Sequence, residues 1–190
     1  MKVIIYDRSP EAGPVGLTWV AGAALFTAIG KADLALSVDS VEDFVDCLES
    51  LFQEYGAKSI DQIQYWGHGG PGKFVIGSEK IKANSSPKIF SVIKEVMRPN
   101  GIFWLRTCAS FQGAIGKDFA KMLADTLGCR VAAHTYNIGV FHSGRHILAP
   151  GETPTWSEYE GSEVDSNGVR RSVMSHPGIA GTKLFIQDNI

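Results

Sequence analysis

The sequence predicts a single α/β domain, a three-layer α/β/α sandwich built on a mainly parallel sheet. Three observations lead there. Apolar strand-like runs alternate with segments of helical periodicity through the first two-thirds of the chain. The most apolar of those runs stop abruptly at residues able to do chemistry, Gly67-His68-Gly69 and Thr107-Cys108. No internal repeat marks a second domain within the 190 residues, a length that suits one domain with a substantial core.

Val3-Ile4-Ile5-Tyr6 reads as a short buried strand. Residues 14 to 30 carry no charge and read as a core helix packed closely through glycine and alanine. Leu34 to Val38 is the second strand. Ser40 caps a helix with Val41, Phe44, Val45, Leu48 and Phe52 at helical spacing, and Gly56 ends it. Ile60 to Trp66 is the third strand and runs into His68; Phe74 to Gly77 and its successor form a small hairpin. Ser86-Pro87 starts a helix whose buried stripe is Ile89, Phe90, Ile93 and Met97.

Ile102-Phe103-Trp104-Leu105 is the fourth strand and leads to Cys108. The next helix uses Ile115, Phe119, Met122, Leu123 and Leu127, with Gly128 past its end, and Val131-Ala132-Ala133 is a fifth strand. This rhythm implies parallel strands with helices on both faces. Residues 150 to 178, rich in Gly, Pro, Ser, Thr and Glu, read as a long irregular loop, and a strand-like run returns at Leu184-Phe185-Ile186.

The composition narrows the function. With 44% hydrophobic residues and a formal net charge of -2, the chain is neither disordered nor patterned for nucleic acid. Three cysteines, Cys47, Cys108 and Cys129, make an odd count without a CxxC spacing, so neither a disulfide framework nor a zinc ribbon is expected. The start MKVIIYDRSP lacks the form of a secretory signal, and the uncharged run falls short of the ~20 apolar residues of a spanning helix. The expectation is a cytoplasmic protein that does not engage a membrane.

Gly67-His68-Gly69-Gly70-Pro71-Gly72 satisfies GxGxxG, but the chain after it is β-like, so no helix N-terminus faces a pyrophosphate. Around Cys108, Ala114 stands where a tyrosine-phosphatase loop needs its arginine, and the flanks do not form a GxCxG elbow. In a parallel sheet, ligands bind beyond the carboxyl ends of the strands. His68 and Cys108 lie just past two such ends, and on neighbouring strands they would converge about one strand spacing apart. A thiol beside an imidazole can attack a carbonyl, and Gly69 would let a backbone N–H approach the oxyanion. The alternatives are a glycine turn whose histidine bonds to the backbone and a small buried thiol.

A strand ending in His-Gly, then about forty residues later an apolar strand ending in Cys, resembles the caspase-like clan of cysteine peptidases. YWGHGG and FWLRTCASFQG carry the likeness, with GKDFAKMLADTLGCRVAAHTYNIG resembling the helix and strand that follow; it covers residues 60 to 140 and is nearest in look to bacterial CHAT-like domains. The resemblance implies a caspase-like fold, Cys108 as nucleophile, His68 as general acid, and the N–H groups of Gly69 and Cys108 in an oxyanion hole. It implies a peptide or protein substrate contacted by Tyr136 and Asn137, which can equally be ordinary loop residues, and requires no cofactor. Arg106 and Thr107 depart from the small residues often found before the cysteine. The expected activity is therefore a cysteine endopeptidase; the alternative is an inactive interaction module of the same fold.

Two further groups stand out. His134, His142 and His146 could gather at a metal, with His142 and His146 facing across a hairpin between Val140-Phe141 and Ile147-Leu148, though exposed strand-edge histidines are the simpler account. Arg170-Arg171, in the long loop, is a candidate processing site or part of a solvated flap.

Overall fold

The alternation of Val3, Ile4 and Ile5 places apolar side chains on both faces of β1 (Lys2–Asp7), so this strand must be covered twice. In the computed structural model, which describes residues 1–85 and 87–188, β1 pairs in parallel with β2 (Leu34–Val38) on one side and β3 (Ile60–Trp66) on the other. Between β3 and the later strands lies a small three-stranded sheet of β4 (Gly69–Gly70), β5 (Lys73–Ile76) and β6 (Glu79–Ile81). The main sheet continues through β7 (Met97–Arg106) and β8 (Arg130–His134). Next come β9 (Phe141–His142) and β10 (Arg145–Leu148), of which β10 closes the edge in the antiparallel sense. The order is β10-β8-β7-β3-β1-β2, so five parallel strands and one antiparallel edge make up the mainly parallel sheet that was expected.

The helices divide unequally between the faces. Val3, Ile5, Ile63, Tyr65, Phe103, Leu105, Val131 and Ala133 point into the larger core, where α2 (Val41–Tyr55), α3 (Pro87–Val96) and α4 (Gly113–Leu127) cover them. The side chain of Ser40 caps α2 by accepting from the Asp43 N–H at 3.1 Å, a device worth about 1 kcal/mol. Ser86, expected to open α3, lies outside the described residues; Met97, expected in its stripe, begins β7.

On the opposite face Ile4 and Trp66 meet Ala23 and Phe26 of α1 (Gly13–Ala28). This helix does pack through small residues, with Gly16, Gly22, Ala23 and Phe26 buried, but it is not the enclosed core helix that its uncharged sequence suggests. Leu17 is 74% exposed, and Val15, Val20, Leu25 and Ile29 are exposed as well. The reason is geometric: α1 lies as the outer layer, and one side of it has nothing above.

Residues 151–188 are more ordered than their composition suggests. Within the expected loop, β11 (Ser162–Val164) and β12 (Arg170–Ser172) form an antiparallel hairpin, closed by the Asp165 side chain accepting from the N–H groups of Asn167 and Val169. The expected hairpin joining residues 140–141 to 147–148 does not form. β9 pairs instead with β13 (Lys183–Leu184), and β10 with β8. Among the described residues, no helix is long and apolar enough to cross a membrane.

Candidate active site

Trp66 at the end of β3 pairs with Arg106 at the end of β7. His68 and Cys108 each follow two residues later, so both lie past the carboxyl edge of adjacent strands, as the sequence anticipates. With the alternation of strand side chains, a two-residue step keeps them on the face that α1 covers. There they line one cavity of about 430 Å³. Its walls are largely apolar: Val15, Trp19, Trp66, Ile138, Val140 and Phe185, with Arg106 and His142 among the few polar groups.

The turn carrying Cys108 is fixed from several sides. Ala109, the next residue, has a φ of +50°, in the left-handed region that costs a non-glycine residue free energy. Its N–H donates to Tyr136 O at 2.9 Å, and the Phe111 N–H donates to His134 O at 3.1 Å, tying the turn to the end of β8. Thr107 and Ser110 share a 2.6 Å hydroxyl contact, and Ser110 Oγ donates to Lys73 O at 2.7 Å. The turns after β3 and β7 touch directly: a Cβ on Gly69 would lie 2.8 Å from Cys108 O and 2.7 Å from Thr107 Cβ. Glycine is required at position 69 for this approach.

The Cys108 thiol is half-buried and donates to Ile138 O at 3.6 Å. Burial pushes its pKa up, against a smaller opposing effect of that bond, so the resting group is a thiol. The His68 ring meets Trp19 edge to face, with centroids 5.1 Å apart. Among the described residues, no hydrogen bond joins His68 to Cys108, although both line the same cavity.

Of the other expected contact residues, Asn137 is drawn into the backbone of the hairpin side. Its N–H donates to Val173 O at 2.9 Å, its O accepts from the Ser175 N–H at 2.8 Å, and its side chain donates to Ser172 O at 3.5 Å. Tyr136 receives the Ala109 bond and would be struck by any side chain on Gly144. The cavity wall here is made by the three residues that follow, Ile138, Gly139 and Val140.

The histidine group is rearranged. His146 leaves it, bonding to Glu160 and stacking on Trp156 at 4.6 Å. In its place stands Asp188, so that the donor atoms of His134, His142 and Asp188 lie within 4.8 Å of one another, all buried. His134 Nδ1 lies 3.0 Å from Ser143 O, which makes Nδ1 the protonated nitrogen and leaves Nε2 buried without a hydrogen bond, 3.6 Å from Asp188 Oδ2. His142 Nδ1 donates to Asp188 Oδ2 at 2.9 Å, and Arg145 also bonds to that carboxylate.

The spacing suits a metal, but the charge does not. A divalent cation would face the Arg145 guanidinium on Asp188 and that of Arg106, 3.5 Å from His142. The group is instead a buried ion network. Burial lowers the His134 pKa to about 3, with His142 adding to the effect, and burial likewise lowers that of His142. For Asp188, burial pushes upward, but the bond from His142 and the charges of His134 and Arg145 more than reverse it.

Arg106, which in sequence is only a departure from the caspase-like pattern, is the polar residue whose importance was not anticipated. It is 4% exposed and sits among the rings of Trp104, Trp66 and Phe26, 4.7, 4.8 and 5.0 Å from its Cζ. Its Nη1 donates to Gln64 Oε1 at 3.2 Å and its Nη2 to Phe185 O at 2.6 Å. A single charge at the end of the run Ile102–Leu105 was the available signal.

Residues 21–146 match the family described as a domain of unknown function, DUF4347, and the chain belongs to that family. The matched span includes His68, Gly69, Cys108, Arg106 and His134 but not Phe185 or Asp188. No curated protein and no solved structure matches the chain.

Proposed function

For this member of the DUF4347 family, we propose a cysteine endopeptidase of caspase-like architecture that works through a thioester acyl-enzyme. The observation that carries the reading is the placement of His68 and Cys108 two residues beyond the paired Trp66 and Arg106, both lining one cavity. The Cys108 thiol passes its proton to His68 as sulfur attacks the scissile carbonyl, and the N–H groups of Gly69 and Cys108 face the resulting oxyanion. Collapse of the tetrahedral adduct breaks the C–N bond, and the imidazolium gives its proton to the leaving amine. Water, losing a proton to His68, then hydrolyses the thioester and the thiol is restored. Because Cys108 rests as a neutral thiol bonded to Ile138 O, substrate entry must break that bond and bring the imidazole and sulfur together.

That same bond favours a second reading, an inactive interaction module in which Cys108 is held by the Ile138 carbonyl and the cavity only binds. The alkylation rate of Cys108 against pH, located by mass spectrometry in wild type and His68→Ala, separates the two. The peptidase reading expects a reactive fraction at neutral pH that disappears in the variant, and turnover of a peptide library by wild type alone. Identical profiles with no turnover sink it in favour of the binding module.

A further inference from the structure

His68 carries the proton in the proposed chemistry, and in doing so it becomes an imidazolium inside a largely apolar cavity. A charge taken out of water is costly unless something meets it. A carboxylate beside the ring is one common answer. Here the ion pairs that involve histidine belong to His134, His142 and His146. The main-chain carbonyl of His68 accepts from the Val75 N–H at 3.0 Å, but among the described residues neither ring nitrogen is hydrogen-bonded. The titratable groups that line the cavity with it are Arg106 and Cys108 from the end of β7 and His142 from β9. Helix α1, on the other side, contributes none, because Gly13–Ala28 carries no charge. Arg106 opposes a second cation, and Asp188, behind His142, is taken up by His142 and Arg145.

The neighbour of the His68 ring is an indole. Trp19 meets it with centroids 5.1 Å apart and planes at 75°. That separation lies within the ~6 Å over which a cation is drawn to an aromatic face, and indole is the strongest of the aromatic side chains in this respect. The packing of α1 brings it there. A Cβ on Gly22 would come within 2.6 Å of Trp66, so the helix lies close upon the sheet at that point. Trp19 stands about one turn earlier, on the side of the helix that borders the cavity with Val15 and Thr18. It is only half-buried, at the margin of the smaller core, so filling that core is not its whole contribution.

We infer that Trp19 is the positioning residue of His68: the indole sets the angle of the imidazole and, standing where a carboxylate otherwise would, stabilises the imidazolium formed when Cys108 gives up its proton. The catalytic half rests on the peptidase reading; the coupling of the two rings stands on their contact. A neutral indole favours the charged ring less strongly than a bonded carboxylate would. The proton is thus held through the attack of sulfur and still passes readily to the leaving amine.

The rings are tested before the reaction. In Cys108→Ala protein, which has no nucleophile, the His68 ring signals are followed by NMR against pH, with Trp19 intact and in Trp19→Leu and Trp19→Phe. Trp19→Leu is expected to lower the ratio of imidazolium to neutral ring at a given pH about threefold, the scale of an exposed cation–π contact, and Trp19→Phe to lower it less. Should Trp19→Leu fail to fold, the parent protein answers alone. Its tryptophan emission is expected to fall as His68 takes up a proton, and that step is expected to vanish in His68→Gln. A ratio unchanged or raised in Trp19→Leu, or emission titrations identical with and without His68, overturns the inference.

The reaction gives the second half. With Cys108 restored, its alkylation near neutral pH is expected to be about threefold slower in Trp19→Leu and partly recovered in Trp19→Phe. Peptide turnover should lose more in kcat than it gains in KM. An alkylation profile against pH that is the same in wild type and Trp19→Leu overturns the positioning role. Coupled rings with turnover by no protein keep the ring contact while the peptidase reading falls. Turnover by wild type with uncoupled rings overturns the inference and leaves the peptidase.

Discussion

Gly69 and the Cys108 carbonyl are in contact across the ends of β3 and β7, close enough that a methyl group on Gly69 would lie 2.8 Å from Cys108 O. The backbones on either side of the proposed reaction centre therefore set one another's position. Gly69→Ala should force the two turns apart, at a cost of about 1–3 kcal/mol in stability. The effect on Cys108 should exceed what that loss explains, because the sulfur moves relative to His68. Chemical denaturation gives the first quantity, and the Cys108 alkylation rate, measured where the variant is fully folded, gives the second. An unchanged rate in a folded variant would mean that the contact does not position the thiol.

Gln112 joins the nucleophile turn to the β11–β12 hairpin. Its Nε2 donates to Thr135 O at 2.8 Å and to Gly161 O, and its Oε1 accepts from Ser172 Oγ at 2.6 Å. Gln112→Ala removes the side-chain partner of Thr135 O and of Ser172 Oγ and one of the two donors to Gly161 O, which keeps the Val173 N–H, and should cost about 2–3 kcal/mol. The hairpin should loosen more than the sheet does. Limited trypsin digestion is the check: cleavage at Arg170 or Arg171 should accelerate in the variant before the core is attacked. If instead the variant is cut no faster there, the hairpin has other sufficient anchors.

The buried ion network sets an acid limit. A histidine whose folded pKa lies below its unfolded value takes up a proton on unfolding, so its stabilising effect is present above about pH 6.5 and is lost as pH falls toward the folded value. For His134 that window runs down to about 3. Asp188, also held below its ordinary value, acts in the same direction at the acid end, its stabilisation being present above about pH 4 and lost below. His134 alone should remove on the order of 5 kcal/mol across the window. Denaturant titrations at successive pH values should show wild type falling steadily below pH 6.5 and His134→Gln falling less steeply. Parallel slopes would place the acid sensitivity elsewhere.

Gly22 of α1 faces Trp66, and a Cβ there would approach the indole to 2.6 Å. Gly22→Ala should displace Trp66 from the Arg106 guanidinium and shift the tryptophan emission, with a loss of about 1–3 kcal/mol from overpacking. An emission spectrum identical to wild type would show that α1 moves and the indole stays.

Much of this arrangement is legible in the sequence, for identifiable reasons. Parallel strands buried on both faces are nearly continuous apolar runs, so Ile60–Trp66 and Ile102–Leu105 declare themselves, and the polar residues that end them mark the edge of the sheet. The alternation with helices implies that the strands run parallel, but that β3 and β7 are neighbours is only a condition in the sequence and is shown by the pairing itself. What fails to show is long-range. Asp188 joins His134 and His142 across 54 and 46 residues, and no local periodicity carries such a contact. The hairpin at 162–172 rests on Asp165 and a turn, not on alternating apolar residues, so it reads as loop. The α1 segment misleads in the other direction: an uncharged helix implies enclosure, whereas only one side of it meets the sheet.

The unequal layers have an implication for change over time. Three helices bear on one face of the sheet, while on the other α1 covers β1 and β2, and the ground over β3 and β7 is left to the segments around Ile138–Val140 and Phe185. The cavity occupies the place a second helix would have filled. Its chemistry is mounted on the rigid strand ends, and much of its outline is drawn by connecting segments that the larger core does not depend on. Insertions and exchanges in those segments can redraw what enters while the nucleophile keeps its setting, so lineages of this fold can diverge in what they accept long before they diverge in how they are built.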